Sequence, residues 1–143
     1  MSKYQLLTDL ISRISADERR ALEEESDGLV ISKYNRKTVQ RMLSFYDELP
    51  DAEKLCGDGT VDLKSVEELE DALASFLNRY MAEQPEGHKW IVICCVFLAF
   101  IVEEPMHPME VVHWVKEGES YYCSYREETD GSLCRCCVSK KKP

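Results

Sequence analysis

Four cysteines, Cys123, Cys134, Cys136 and Cys137, fall within fifteen residues near the end of the chain. A thiolate is both a ligand for soft metals and a nucleophile, so a cluster of this density points to one of two chemistries. Cys134 and Cys137 have the two-residue spacer that lets both sulfurs face one ion from a tight turn. Cys123 closes the strand-forming run Tyr121-Tyr122-Cys123 and brings a third thiol. Neighbouring side chains diverge, so one tetrahedral ion does not use both Cys136 and Cys137. Spacing selects Cys137 and leaves Cys136 spare. A closed structural site needs a fourth ligand, and His107, set between Pro105 and Pro108, is the first choice, with Cys136, His113 and Cys95 as alternates. A thiol-rich set favours zinc, and after it an iron–sulfur cluster, over magnesium or calcium.

The other chemistry is catalytic. Cys123 with His107 or His113 supplies a thiol and a base, and Glu103-Glu104 supplies two acids that are either general bases or a solvated helix end. Residue types without geometry assign no catalytic residue. The plain alternative to both is a set of unligated thiols in an irregular C-terminal segment. Cys94 and Cys95, inside an apolar run, read as small core hydrophobes, and Cys56 has no evident partner.

These residues need a frame. Leu6, Leu7, Leu10, Ile11 and Ile14 recur at helical spacing and give a first helix from about Lys3 to Ile14. Ser15-Ala16-Asp17-Glu18 matches a capping box and starts a second, which runs through Leu22 and stops near Gly28. Val39, Met42, Leu43, Tyr46 and Leu49 define a third helix over residues 34–49, ended by Pro50, and residues 50–60 read as a loop. Val66, Leu69, Leu73, Phe76, Leu77, Tyr80 and Met81 form the most regular apolar stripe, a fourth helix with its aromatics in the core. Ser65 and Glu68 are a further capping box.

Trp90 to Val102 is thirteen residues without a charge. As a helix it is about 20 Å long, against the roughly 30 Å of a bilayer core, so it does not span a membrane. It reads as a fifth, central helix buried on all sides, with a buried strand as the lesser alternative. After it, Val111 to Val115 and Tyr121 to Cys123 are strand formers on either side of Gly118, a β-hairpin.

The expected fold is therefore mainly α: a single domain over residues 1–143, with a five-helix core in 1–104 and a hairpin and cysteine-rich segment in 105–143. At 143 residues the chain buries roughly two thirds of its unfolded surface, enough for one core. A net charge of −9 repels phosphate backbones and disfavours nucleic acid as a partner, and Lys140-Lys141-Lys142 reads as a solvated tail. The first residues lack the pattern of a secretory signal, so a cytoplasmic address is expected, where seven cysteines stay reduced.

Phe97-Leu98-Ala99-Phe100-Ile101-Val102-Glu103-Glu104-Pro105-Met106-His107-Pro108, then Tyr121-Tyr122-Cys123, then Leu133-Cys134 with Cys137, resembles domain of unknown function 2115 of methanogenic archaea. In that family an apolar helix leads into a Glu-Pro-Ile-His-Pro-like turn, a hairpin, a Tyr-Cys-Pro step and a closing Leu-Cys-x-x-Cys. The resemblance implies that Glu104, Pro105, His107, Pro108, Tyr122, Cys123, Cys134 and Cys137 are the family's residues here. Ser124 stands where the family usually has proline, and the spacer from Cys123 to Cys134 is shorter than typical. The resemblance also implies an anaerobic, reducing cytoplasm, and it brings no established activity. Residues and resemblance together lead to an accessory or binding protein that acts on a protein partner, with zinc or a cluster tying its C-terminus to a helical core. A cysteine- or metal-dependent enzyme is the alternative.

Overall fold

Local signals explain where the first two helices begin. In the computed structural model, which describes residues 1–24, 28–56, 59–107, 114–124, 126 and 133–141, helix α1 (Lys3–Ser12) is capped by Ser2. The Ser2 hydroxyl accepts from the Gln5 N–H at 3.1 Å while the Gln5 side chain accepts from the Ser2 N–H at 2.8 Å. Helix α2 (Ala16–Glu23) repeats the device with Ser15 and Glu18, as the sequence predicts. Glu18 then reaches across the fold, accepting from the Lys89 ammonium at 2.6 and 2.7 Å.

Helix α3 (Lys33–Glu48) follows the predicted bounds closely. The expected loop after Pro50 instead opens with a short helix, α4 (Asp51–Cys56). Its start is favourable: the fixed φ of Pro50 suits a helix entry, and Asp51 and Glu53 lie in the first turn, where negative charge meets the positive end of the helix dipole.

Helix α5 (Leu63–Tyr80) begins earlier than the Ser65–Glu68 box suggests, because the Asp62 carboxylate caps it by accepting from the Lys64 N–H at 3.1 Å. Val66, Leu69, Leu73 and Leu77 of its stripe are buried, but Phe76, Tyr80 and Met81 are exposed, so the core assignment of those three is corrected. Leu69, Leu73 and Leu77 step by four along one line; Phe76 and Tyr80 form a second line about 60° round the helix, beyond what the neighbours cover. Their rings meet at 4.9 Å, tilted by 47°.

A 3-10 turn (Pro85–Gly87) leads into α6 (His88–Val96), which continues as a π-helical turn over Phe97–Ile101. Trp90, Ile93, Cys94, Val96, Phe97, Leu98, Ala99 and Ile101 are all buried here, so this element is the central post that its uncharged sequence predicts. It packs on α3 and α5, and its π-helical end meets α1.

The β-hairpin is present, as β1 (Trp114–Glu117) and β2 (Ser120–Cys123), antiparallel with Trp114 opposite Cys123. Gly118 has φ +62 at the first position of the two-residue turn, a conformation that favours glycine. A third strand not foreseen, β3 (Lys140–Lys141), adds parallel to β2, pairing Tyr122 with Lys140 and Cys123 with Lys141. Lys140 and Lys141 are thus exposed side chains on a paired backbone rather than a free tail. Val111, Val112, His113 and Pro108 lie outside the described residues.

Candidate cysteine centre

The end of the central helix sets the site's first wall. The Val102 N–H donates to the Phe97 carbonyl at 3.2 Å and the Glu104 N–H to the Leu98 carbonyl at 2.8 Å. Glu103, between them, has φ +52, the left-handed conformation of a helix terminus that glycine normally takes. The chain then buries Pro105 and Met106. Arg41 of α3 grips the Glu104 carboxylate with both guanidinium nitrogens, Nη1 to Oε1 at 3.0 Å and Nη2 to Oε2. That grip also holds the Arg41 pKa above its ordinary value. Glu103 lies 3.7 Å from the Lys3 ammonium. Of the two adjacent acids, one is a tether and the other a charged rim.

His107 is fixed through its backbone: its carbonyl accepts from the Trp114 indole N–H at 3.1 Å, which straps the turn to the hairpin. The residue is exposed, yet the surrounding protein desolvates the imidazole enough to lower its pKa, which favours the neutral ring. Trp114 meets Tyr121 edge-on at 5.4 Å across the strands.

Cys123 closes β2 and is buried, 9% exposed. Beyond it, the Arg126 N–H donates to the Cys123 carbonyl at 3.4 Å. The Arg126 guanidinium then gathers the cysteine segment, with Nη1 donating to the carbonyls of Cys134 at 2.5 Å, Cys137 at 3.2 Å and Ser139 at 2.6 Å. Residues Leu133–Cys136 wind as a 3-10 turn, closed by the Cys137 N–H on the Cys134 carbonyl at 3.0 Å. Leu133, Cys136 and Cys137 pack on the hydrophobic core, and the turn contacts α5. Ser139 is buried and its hydroxyl has no hydrogen-bond partner among the described residues.

The two helix cysteines differ. Cys94 is core as expected, its thiol 3.5 Å from the Asn35 carbonyl and its pKa pushed up by burial. The Cys95 thiol is pushed up to about 12, first by burial and then by the charge of Cys137. All six cysteines with described side chains are free thiols. Among the described residues, no three His, Cys, Asp or Glu side chains converge as a ready metal group, so His107, Cys123, Cys134 and Cys137 do not stand as a preformed shell.

Sequence reasoning missed Arg126 and Arg41. Arg126 left a signal, being the one basic residue between Cys123 and Cys134; Arg41 is one basic residue among several on α3 and left none.

A family model described as "Uncharacterized protein conserved in archaea (DUF2115)" matches residues 8–142. The UPF0305 protein MJ0646 of Methanocaldococcus jannaschii is 29% identical over 90 residues, which cover 58% of this chain and 55% of that relative. The chain thus spans about half the length of this curated relative. No solved structure matches. Among the described residues no helix is long and apolar enough to cross a membrane.

Proposed function

On the premise that the chain belongs to the uncharacterised archaeal family DUF2115, we propose that it is an accessory or binding protein whose C-terminal cysteine turn captures a soft metal ion, zinc before an iron–sulfur cluster. The observation that carries this is the Cys134-to-Cys137 turn, closed by its own N–H···O bond and held by Arg126, with Cys136 and Cys137 packed on the core that Cys95 also packs against. Cys134 and Cys137 are the first two ligands, the pair a tight turn can aim at one ion. Cys123 and His107 remain in the set, with Cys136, His113 and Cys95 as alternates. Since no shell is preformed among the described residues, binding draws the ligands together, and the ion contributes folding energy to the segment. The unpartnered Ser139 hydroxyl, two residues beyond Cys137, is the kind of buried polar atom that a bound group would satisfy.

The protein then acts through its surface on a protein partner in a reducing cytoplasm. The enzyme alternative built on Cys123 and His107 is the weaker reading, because a buried thiol offers little access to a substrate. Anaerobic purification followed by metal analysis and an absorption spectrum tests the proposal. Tightly bound, colourless zinc or a brown cluster, lost on Cys134→Ser together with C-terminal order, is the expected result. Neither metal nor sulfide, with one fast-alkylating cysteine, would sink it.

A further inference from the structure

A second feature, an open depression of the surface, lies between the Glu103 turn and the β-sheet. A cleft of about 420 Å³ opens between the end of the central helix and the strands, lined by Glu103, Lys116, Glu119, Ser120, Tyr121 and Lys140. That volume lies in the range of small-molecule sites, roughly 300–1,000 Å³. Its lining carries two ammonium groups, two carboxylates and two hydroxyls. Among the described residues, Lys140 and Glu119 have no ion-pair partner, and Lys116 lies over the Tyr121 ring at 5.4 Å rather than on a carboxylate.

Glu103 marks this cleft as more than surface texture. It occupies the left-handed helix-end position where glycine is favoured, so the sequence keeps a carboxylate at a place where the backbone disfavours one. Its contact with Lys3, at 3.7 Å and with the carboxylate side chain 67% exposed, is too loose and too wet to account for that choice. Residues that break a local rule without local compensation concentrate at functional positions.

We propose that this cleft binds a small zwitterion of amino-acid to dipeptide size, its carboxylate between Lys116 and Lys140 and its ammonium against Glu103 and Glu119. The matched charges argue against a simple anion, which the two carboxylates would repel, and against a diamine, which the two lysines would repel. The Ser120 and Tyr121 hydroxyls complete the polar lining with groups able to donate or accept.

Titration of the full chain with alanylalanine, followed by calorimetry or amide shifts, tests this. Saturable binding is expected, with N-acetylalanine and alaninamide, each lacking one charge, weaker by about tenfold or more. Glu103→Gln should weaken binding to a similar extent without raising Tm. Glu103→Gly should also weaken it while raising Tm, because it relieves the left-handed backbone. Succinate or putrescine binding as well as alanylalanine would overturn the proposal. So would unchanged binding in both Glu103 variants, or no saturation with alanylalanine. Because Lys116, Glu119, Ser120, Tyr121 and Lys140 belong to the segment that the metal reading orders, each titration is run at one measured metal content, with and without zinc, so that failure of the cleft and failure of the cysteine reading are distinguishable.

Discussion

The helical part of the chain and its C-terminal segment are stabilised by different forces. From α1 to the π-helical turn, cohesion comes from apolar burial: Leu10, Leu22, Val39, Met42, Leu69, Ile93, Val96 and Phe97 are 0% exposed and belong to one cluster. From Glu104 to Lys141, among the described residues, apolar packing of Met106, Leu133, Cys136 and Cys137 on that core is supplemented by polar ties that end on backbone carbonyls or on one carboxylate: Trp114 on His107, Arg126 on three carbonyls, Arg41 on Glu104. Burial is tolerant in direction and cooperative across a core, whereas a guanidinium on carbonyls is directional and local. If the C-terminal segment is metal-coupled as proposed, the contrast predicts that it loses order before the helical core does.

The largest expected effect breaks the core. Phe97→Ala removes a fully buried ring that also meets Phe45 edge-on at 6.1 Å. It should lower global stability by about 3–5 kcal/mol in urea unfolding. A loss confined to the C-terminal segment would erase the distinction between the regions.

A smaller effect should appear at Arg126. Arg126→Ala strips three carbonyls of their shared donor and should destabilise the C-terminal segment by about 1–3 kcal/mol. Amide exchange there should rise with the core's protection unchanged. Arg126→Lys should restore it in part, since the three bonds all leave one nitrogen and an ammonium also has three N–H donors, on a shorter side chain.

How much of this was legible in the sequence follows the same division. The Ser15–Glu18 cap, the stripe of Leu69, Leu73 and Leu77 and the uncharged central helix are encoded by local spacing, and the structure contains them. Phe76 and Tyr80 share that spacing, yet periodicity does not say how wide a face the neighbours cover. The Cys134-to-Cys137 turn was visible as a spacing, and the hairpin as strand formers around Gly118. The Arg126 clamp was not legible, because its acceptors are carbonyls that every residue carries. The parallel β3 pairing depends on where the chain returns, which two lysines do not announce. The left-handed Glu103 ran against its residue type and could be found only in the backbone.

The smallest effect separates the regions by pH. Burial raises the Cys94 and Cys95 thiols in the folded chain above their unfolded value of about 8.5. A raised folded pKa contributes stability that is complete below the unfolded pKa and is lost as pH rises toward the folded one. Core stability should therefore fall progressively above about pH 8.5. Cys94→Ala should flatten that decline, though it leaves a small cavity; an unchanged slope would refute this burial account.

The proposed metal centre would couple the order of the C-terminal segment to a bound ion. Amide exchange of the anaerobic protein, with zinc and again with excess chelator, tests that most directly. Zinc should raise protection over residues 114–141 and leave α1 to α6 unchanged. Equal protection of residues 114–141 in both conditions would contradict it.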